Sequence, residues 1–156
     1  MTKTVRKITA SKTPAAKKNA AAKKASPKKA APVKKTVRKK ITSVDVITQA
    51  LLDKKGQDVV SLDLTPLEAA ICDHFVIAHA DSGTQVAALA DNVEKEMYER
   101  LQEKPLRRQG KENAFWIIVD YGDVVAHIFQ TPYRMFYRLE ELWADAIRKN
   151  HSENPK

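Results

Sequence analysis

Residues 115-FWIIVDYGDVVAHIFQ-130 decide the fold. Two apolar runs, 115-FWIIVD-120 and 124-VVAHIFQ-130, flank the short link Tyr121-Gly122-Asp123. A brief glycine-containing link between β-branched runs is the signature of a β-hairpin. The first run is apolar at every position from 115 to 119. Such a strand is expected inside a sheet, covered on both faces. His127 alternates with Val125 and Phe129, so the three share one side of the second strand.

Upstream of the hairpin the pattern becomes helical. Val86, Leu89, Ala90, Val93, Met97 and Leu101 recur at helical spacing, opposite Asp91, Glu94, Lys95 and Glu99. Ser82 and Gln85 match a capping box at its start. Pro105 ends that region, and 105-PLRRQ-109 with Gly110 suggests a short strand and a turn into the hairpin. Earlier still, 58-DVVSLDL-64 and 74-HFVIAHA-80 read as strands, separated by Thr65 and Pro66. Ser43 is placed to cap a first helix bearing Val44, Ile47 and Leu51, and Gly56 to stop it in the left-handed conformation. After the hairpin, Thr131 and Pro132 suit the N-cap and first turn of a last helical region with Phe136, Leu139, Leu142 and Trp143. The expected order is α-β-β-α-β-β-α. That is an α/β (α+β) domain, a mixed central sheet flanked by helices. It should occupy residues 41–148, with a frayed polar end at 149–156.

Charge divides the chain of 156 residues, whose net charge is +9. Residues 1–40 hold fifteen Lys and Arg and no acid, whereas residues 41–156 hold thirteen basic and nineteen acidic residues, a net of −6. The first 40 residues are Lys/Ala/Pro-rich, without aromatics, and Pro14, Pro27 and Pro32 interrupt any helix. Ordering such a segment loses entropy with no core to offset it, so a disordered tail is expected. Its lysine pairs, Lys17 and Lys18, Lys23 and Lys24, Lys28 and Lys29, Lys34 and Lys35, Lys39 and Lys40, suit polyanion binding by counterion release. A solubilising extension and an organelle transit peptide are the other two readings. No apolar run reaches the roughly 18 residues that a membrane span needs, and no secretory signal is expected. The lone Cys72 permits no internal disulfide and reads as a buried thiol in a reducing compartment.

Few residues suggest chemistry. Asp120 and Asp123 bracket the hairpin turn and would suit a divalent metal, but Asp also favours turns for local hydrogen-bonding reasons, which is the preferred reading. His74, His79 and His127 follow no metal spacing, and 81-DSGTQ-85 lacks the pattern of a phosphate loop. Trp116, Tyr121 and Tyr133 are candidate interface anchors, with a core role equally open for Trp116. Arg107 and Arg108 would rim a contact surface or form a solvated pair.

The segments 54-KKGQDVVSLDL-64, 71-ICDHFVIAHADSGTQVAALAD-91, 116-WIIVDYGDVVAHIF-129 and 137-YRLEELWADA-146 resemble, in order and spacing, the ribosomal silencing factor (Iojap-like) family. The resemblance covers about residues 43–147 and leaves the basic tail outside. It implies a nucleotidyltransferase-like fold without catalytic metal motif or cofactor. It implies a translational repressor that binds the large ribosomal subunit through its subunit-face protein numbered fourteen and blocks joining of the small subunit. It also implies partner contacts at Trp116, Asp120, Tyr121, Gly122, Asp123 and His127, with Leu142 to Ala146 structural. Large-subunit assembly is the alternative role, since organelle members take part in it. The charge division agrees, because an acidic domain suits a basic ribosomal protein while the tail reaches neighbouring rRNA. A cytoplasmic protein is expected, or an organelle protein if the tail is a transit peptide, and a weak homodimer is left open. Two rivals are a magnesium-dependent nucleotidyltransferase using Asp120 and Asp123, and a tail-driven nucleic-acid-binding protein.

Removing residues 1–40 should flatten the dependence of ribosome binding on salt. Binding of full-length chain and residues 41–156, measured at two salt concentrations, checks this; equal slopes would exclude a phosphate-binding tail.

Overall fold

The computed structural model describes residues 40–152. The tail lysines from Lys17 to Lys39, and the disorder expected there, lie outside the described residues, while Lys40 is exposed. Elements follow the order α1 (Ser43–Asp53), β1 (Gln57–Asp63), β2 (His74–Ala80), α2 (Gly83–Leu101), β3 (Arg107–Gln109), β4 (Trp116–Asp120), β5 (Val124–Gln130), α3 (Thr131–Tyr137), α4 (Leu139–Leu142) and β6 (Ile147–His151).

The expected mixed sheet is present, with six strands in the order β3-β4-β5-β2-β1-β6. Only β2 and β5 pair in parallel, from His74 opposite Val124 to Ala80 opposite Gln130. The other pairs are antiparallel. The hairpin of β4 and β5 sets Ile118 opposite His127 and Trp116 opposite Phe129. Its turn needs Gly122 at φ +97, and the Gly122 N–H donates to Asp120 Oδ1 at 2.8 Å.

Helix ends follow local chemistry. The first cap is Thr42, one residue before the expected Ser43, in a full capping box with Asp45. Lys55, not Gly56, takes the left-handed conformation after α1, at φ +62. Ser82 caps α2 by accepting from the Gln85 N–H at 3.2 Å, but the Gln85 side chain reaches the Lys55 carbonyl instead of closing the box. The last helical region is broken in two, because Arg138 adopts φ +46 between α3 and α4. Thr131 does not cap it; its hydroxyl donates towards the Ala80 carbonyl and Asp81.

One sheet face is covered fully. Val46, Ile47 and Leu51 of α1 and Val86, Leu89, Val93 and Met97 of α2 pack on Val76, Ala78, Ile117, Val119, Ala126 and Ile128. Each Val, Ile, Leu or Met among them contributes about 1.5–3 kcal/mol by leaving water. Buried Asn92 ties the two helices together by donating to the Ala50 carbonyl at 2.8 Å. The other face carries Val60, Leu62, Phe75, Ile77, Val125 and Phe129 beneath Leu64, Cys72, Leu139 and Ala146. There Trp116 and Ile118 are only half-buried. The expectation that 115–119 is covered on both faces therefore fails on one side. Strand β4 has only the three-residue β3 beyond it, and the ring of Tyr137 from α3 covers Trp116 only in part.

Residues 149–151, expected to fray, instead belong to β6. They pair with β1, Lys149 opposite Ser61 and His151 opposite Val59, and His151 Nε2 lies 2.8 Å from Ser61 Oγ. The strand escapes pattern recognition because it is an edge strand, exposed along most of its length, with no apolar alternation.

Gly110 stands at φ +86, and a Cβ there would lie 1.9 Å from the Trp116 carbonyl oxygen. Gly110→Ala should destabilise the domain by about 2–4 kcal/mol, through left-handed strain and the backbone clash together. Urea unfolding of the two proteins measures it.

Candidate docking face

Strand alternation sends Trp116, Ile118 and Asp120 to the incompletely covered face, together with Val125, His127 and Phe129 of the neighbouring strand. The Trp116 ring stacks on Phe129, centroids 4.8 Å apart at 22°, and meets Tyr137 of α3 at 4.9 Å. Tyr137 in turn contacts Phe136, which is 78% exposed. Beneath, Phe75 meets His127 edge-on at 4.7 Å and Trp143 at 5.7 Å. Phe115 and Tyr133 stack at 4.6 Å beside this array. Aromatic rings thus run from the buried Phe75 outward to the exposed Tyr137 and Phe136.

His127 is buried under that array. The Trp116 indole Nε1–H donates to His127 Nδ1 at 3.3 Å. An indole only donates, so Nδ1 must be unprotonated and the neutral ring carries its proton on Nε2. That Nε2 is buried with no hydrogen-bond partner among the described residues. Burial pulls the ring pKa down to about 4, against the smaller opposing pull of Asp120. At neutral pH His127 is an uncharged support for Trp116.

The remaining predicted residues divide. Asp120 Oδ1 is engaged by the Gly122 N–H, which is the turn role. Gly122 and Asp123 are exposed at the hairpin tip, and the Asp123 carbonyl accepts from the amides of Asp73 and His74 at 2.9 and 3.0 Å. Tyr121 points the other way. It joins Ile117 and Val119 in the helix-covered core, 9% exposed, with its hydroxyl buried and unpartnered among the described residues. Burial, reinforced by Glu94 and Glu103, raises its pKa. Tyr121 is therefore not an anchor on the face that carries Trp116. Arg108 is no free rim residue either, because its Nη1 donates to Asp91 at 2.8 Å and Glu94 at 2.7 Å on α2. His74, at the start of β2, sits 3.7 Å from Asp63, His79 lies near the other end of that strand, and no cluster of three or more His, Cys, Asp or Glu among the described residues is placed to hold a metal ion. Cys72 is buried and its thiol is pushed up to about 11, chiefly by desolvation.

Comparison with known proteins fits this hairpin-centred domain. Residues 34–156 match the model of the family described as "Ribosomal silencing factor during starvation". The chain belongs to the ribosomal silencing factor family. It is 39% identical over 103 residues to ribosomal silencing factor RsfS of Halalkalibacterium halodurans, covering 66% of this chain and 86% of that one. It is 28% identical over 103 residues to mouse (Mus musculus) "Mitochondrial assembly of ribosomal large subunit protein 1", covering 64% of this chain and 44% of that one. The crystal structure of protein CV0518 from Chromobacterium violaceum superposes with a TM-score of 0.62 at 31% identity, over 73% of this chain and 88% of that one.

Two features of this face escape sequence reasoning. Tyr137 and Phe136 extend the Trp116 array, and their signal was a cluster of aromatics in an otherwise polar helix, 131-TPYRMFY-137. Arg134, in the same helix, is buried and multiply bonded, and nothing in its sequence position separates it from a surface arginine. For Tyr121, parity with Ile117 and Val119 is the signal that places it in the core. Tyr121→Phe should leave stability unchanged or raise it by up to about 1 kcal/mol, since it removes a buried hydroxyl with no partner among the described residues. Thermal and urea unfolding check this, with a clear loss of stability as the contrary result.

Proposed function

We propose that this silencing factor binds the large ribosomal subunit through the aromatic face around Trp116 and keeps the small subunit from joining. The observation that carries this reading is the half-buried Trp116, packed below on Phe129 and His127 and flanked by Tyr137, which itself meets the exposed Phe136. Rigid aromatic groups on a supported platform, open on one side, are what protein interfaces use as anchors. The finer proposal takes the subunit-face protein numbered fourteen as the direct partner. Acidic charge on residues 41–156, a net of −6, favours a basic protein over naked RNA. Asp120, Gly122 and Asp123 would border the contact from the hairpin tip, and His127 would support it from beneath.

The mechanism is steric. A domain seated on the intersubunit face occupies space that the small subunit needs, and no bond is made or broken. We take the protein to be non-enzymatic on that basis, with Asp120 committed to its turn and His127 neutral. The name of the mouse relative favours a second role in large-subunit assembly, which the same docking face would serve. Among the described residues no helix is long and apolar enough to cross a membrane. We place the protein in the cytoplasm, or in an organelle if the tail acts as a transit peptide, and assign the tail to neighbouring rRNA.

Trp116→Ala and Tyr137→Ala should each weaken binding to purified large subunits by about 1–3 kcal/mol, with circular dichroism and thermal unfolding as folding controls. Sedimentation with separated subunits reads the outcome. Folded variants that co-migrate with large subunits as the wild type does would refute the face, and unhindered subunit joining in excess wild-type protein would refute the function.

A further inference from the structure

Arg134 is 9% exposed, yet it carries a full charge. Its Nε donates to Glu140 Oε1 at 2.9 Å, and its Nη2 donates to the same oxygen. Its Nη1 faces the Asp58 carbonyl at 2.7 Å, the Gln57 carbonyl at 3.4 Å and His79 Nδ1 at 2.8 Å. One guanidinium on α3 thus joins the irregular start of β1, the end of β2 and the short helix α4. The backbone it grips is unusual, since Asp58 stands at φ +43 where the β1–β2 register shifts. Three residues further along α3 lies Tyr137, the ring that flanks Trp116, and one residue before Arg134 lies Tyr133, stacked on Phe115. A seven-residue helix has little intrinsic stability, so its place on the sheet must come from tertiary bonds.

We propose that Arg134 is the positioning residue of the docking face, fixing α3 through His79, Glu140 and the β1 carbonyls so that Tyr137 flanks Trp116. The inference rests on the docking reading above for its functional consequence, and on the geometry alone for the clamp itself. His79 makes the clamp sensitive to protons. Arginine only donates, so His79 Nδ1 must accept and the ring must be neutral. The groups facing His79 are Arg134 from α3, Asp58 from β1 at 4.0 Å, Asp81 after β2 and Glu140 from α4. Desolvation and then Arg134 lower its pKa, and the three carboxylates oppose them less strongly. The closed clamp therefore disfavours the imidazolium. Its contribution is complete above the ordinary histidine pKa of about 6.5 and is lost as pH falls from there through the lowered value. His127, pulled down to about 4 by burial, would act over an overlapping range in any opening that exposes it, so the comparison with His79→Asn is what assigns the effect to His79.

The test is hydrogen exchange in the full chain, read at the Arg138 amide that donates to the Arg134 carbonyl at 3.0 Å. After correction for intrinsic rates, local opening in the wild type should rise from pH 7.5 to 5.5, by at most about tenfold. His79→Asn, which keeps a neutral acceptor, should abolish that rise. Arg134→Lys, which keeps the charge but cannot bridge all the partners, should raise opening at every pH while amides of β2 and β5 stay protected. It should also weaken binding to purified large subunits about tenfold. The same pH profile in wild type and His79→Asn, or unchanged protection in Arg134→Lys, overturns the proposal. If Arg134→Lys fails to fold, the His79→Asn profile alone decides it. Loss of binding in Trp116→Ala with no exchange effect at His79 would sink the clamp and keep the docking face. The exchange effect with wild-type binding in Trp116→Ala would do the reverse.

Discussion

The parallel pairing of β2 with β5 is the contact on which the other arrangements depend. Two parallel strands cannot be joined by a tight turn, so the chain must cross over between them, and α2 is that crossing. The crossing brings the long apolar stripe of α2 onto one sheet face, where α1 packs beside it. It also delivers β3 and β4 to the far side of β5, so that the hairpin lies at the sheet's outer end. Once β5 is central and β4 is next to last, the two faces cannot be covered alike. Long helices fill one, and short pieces from the ends of the chain's connections fill part of the other.

That unequal cover turns a core tryptophan into a surface feature. Trp116 has one neighbour strand carrying large rings, and beyond it only the short β3. Its lower side gains the packing of a buried aromatic while its upper side stays open. A binding surface built this way is rigid before it meets a partner, so little side-chain entropy is lost on contact. The same rigidity depends on the connections made by α3, which stands on a single buried cation instead of a wide apolar stripe.

Much of this was legible in the sequence. The 3.6-residue period of 86–101, the glycine turn at 122 and the β-branched runs identify α2, the hairpin and the inner strands because each obeys one local rule. What was hidden depends on tertiary context. The break at Arg138 hides within a helical pattern, as a left-handed residue held by packing. Strand β6 has a polar sequence because an edge strand needs no apolar alternation. The half-cover of β4 follows from strand order, which no run of residues states. Among the predicted contact residues, Trp116 was readable as both core and surface and is both. Tyr121, a candidate contact residue by its place in the turn, shares the parity of Val119, which sends it inward.

Strand β6 also bears on how the sheet ends. Its Arg148 and Lys149 line the outer rim of the sheet with charge, and its pairing occupies the hydrogen-bonding groups of β1. Stripped of this strip, β1 would offer Val59, Val60 and Leu62 along an open backbone, a template onto which another unfolded chain could zip. The last few described residues therefore close an edge of β1 that a chain shortened before residue 147 would leave unpaired.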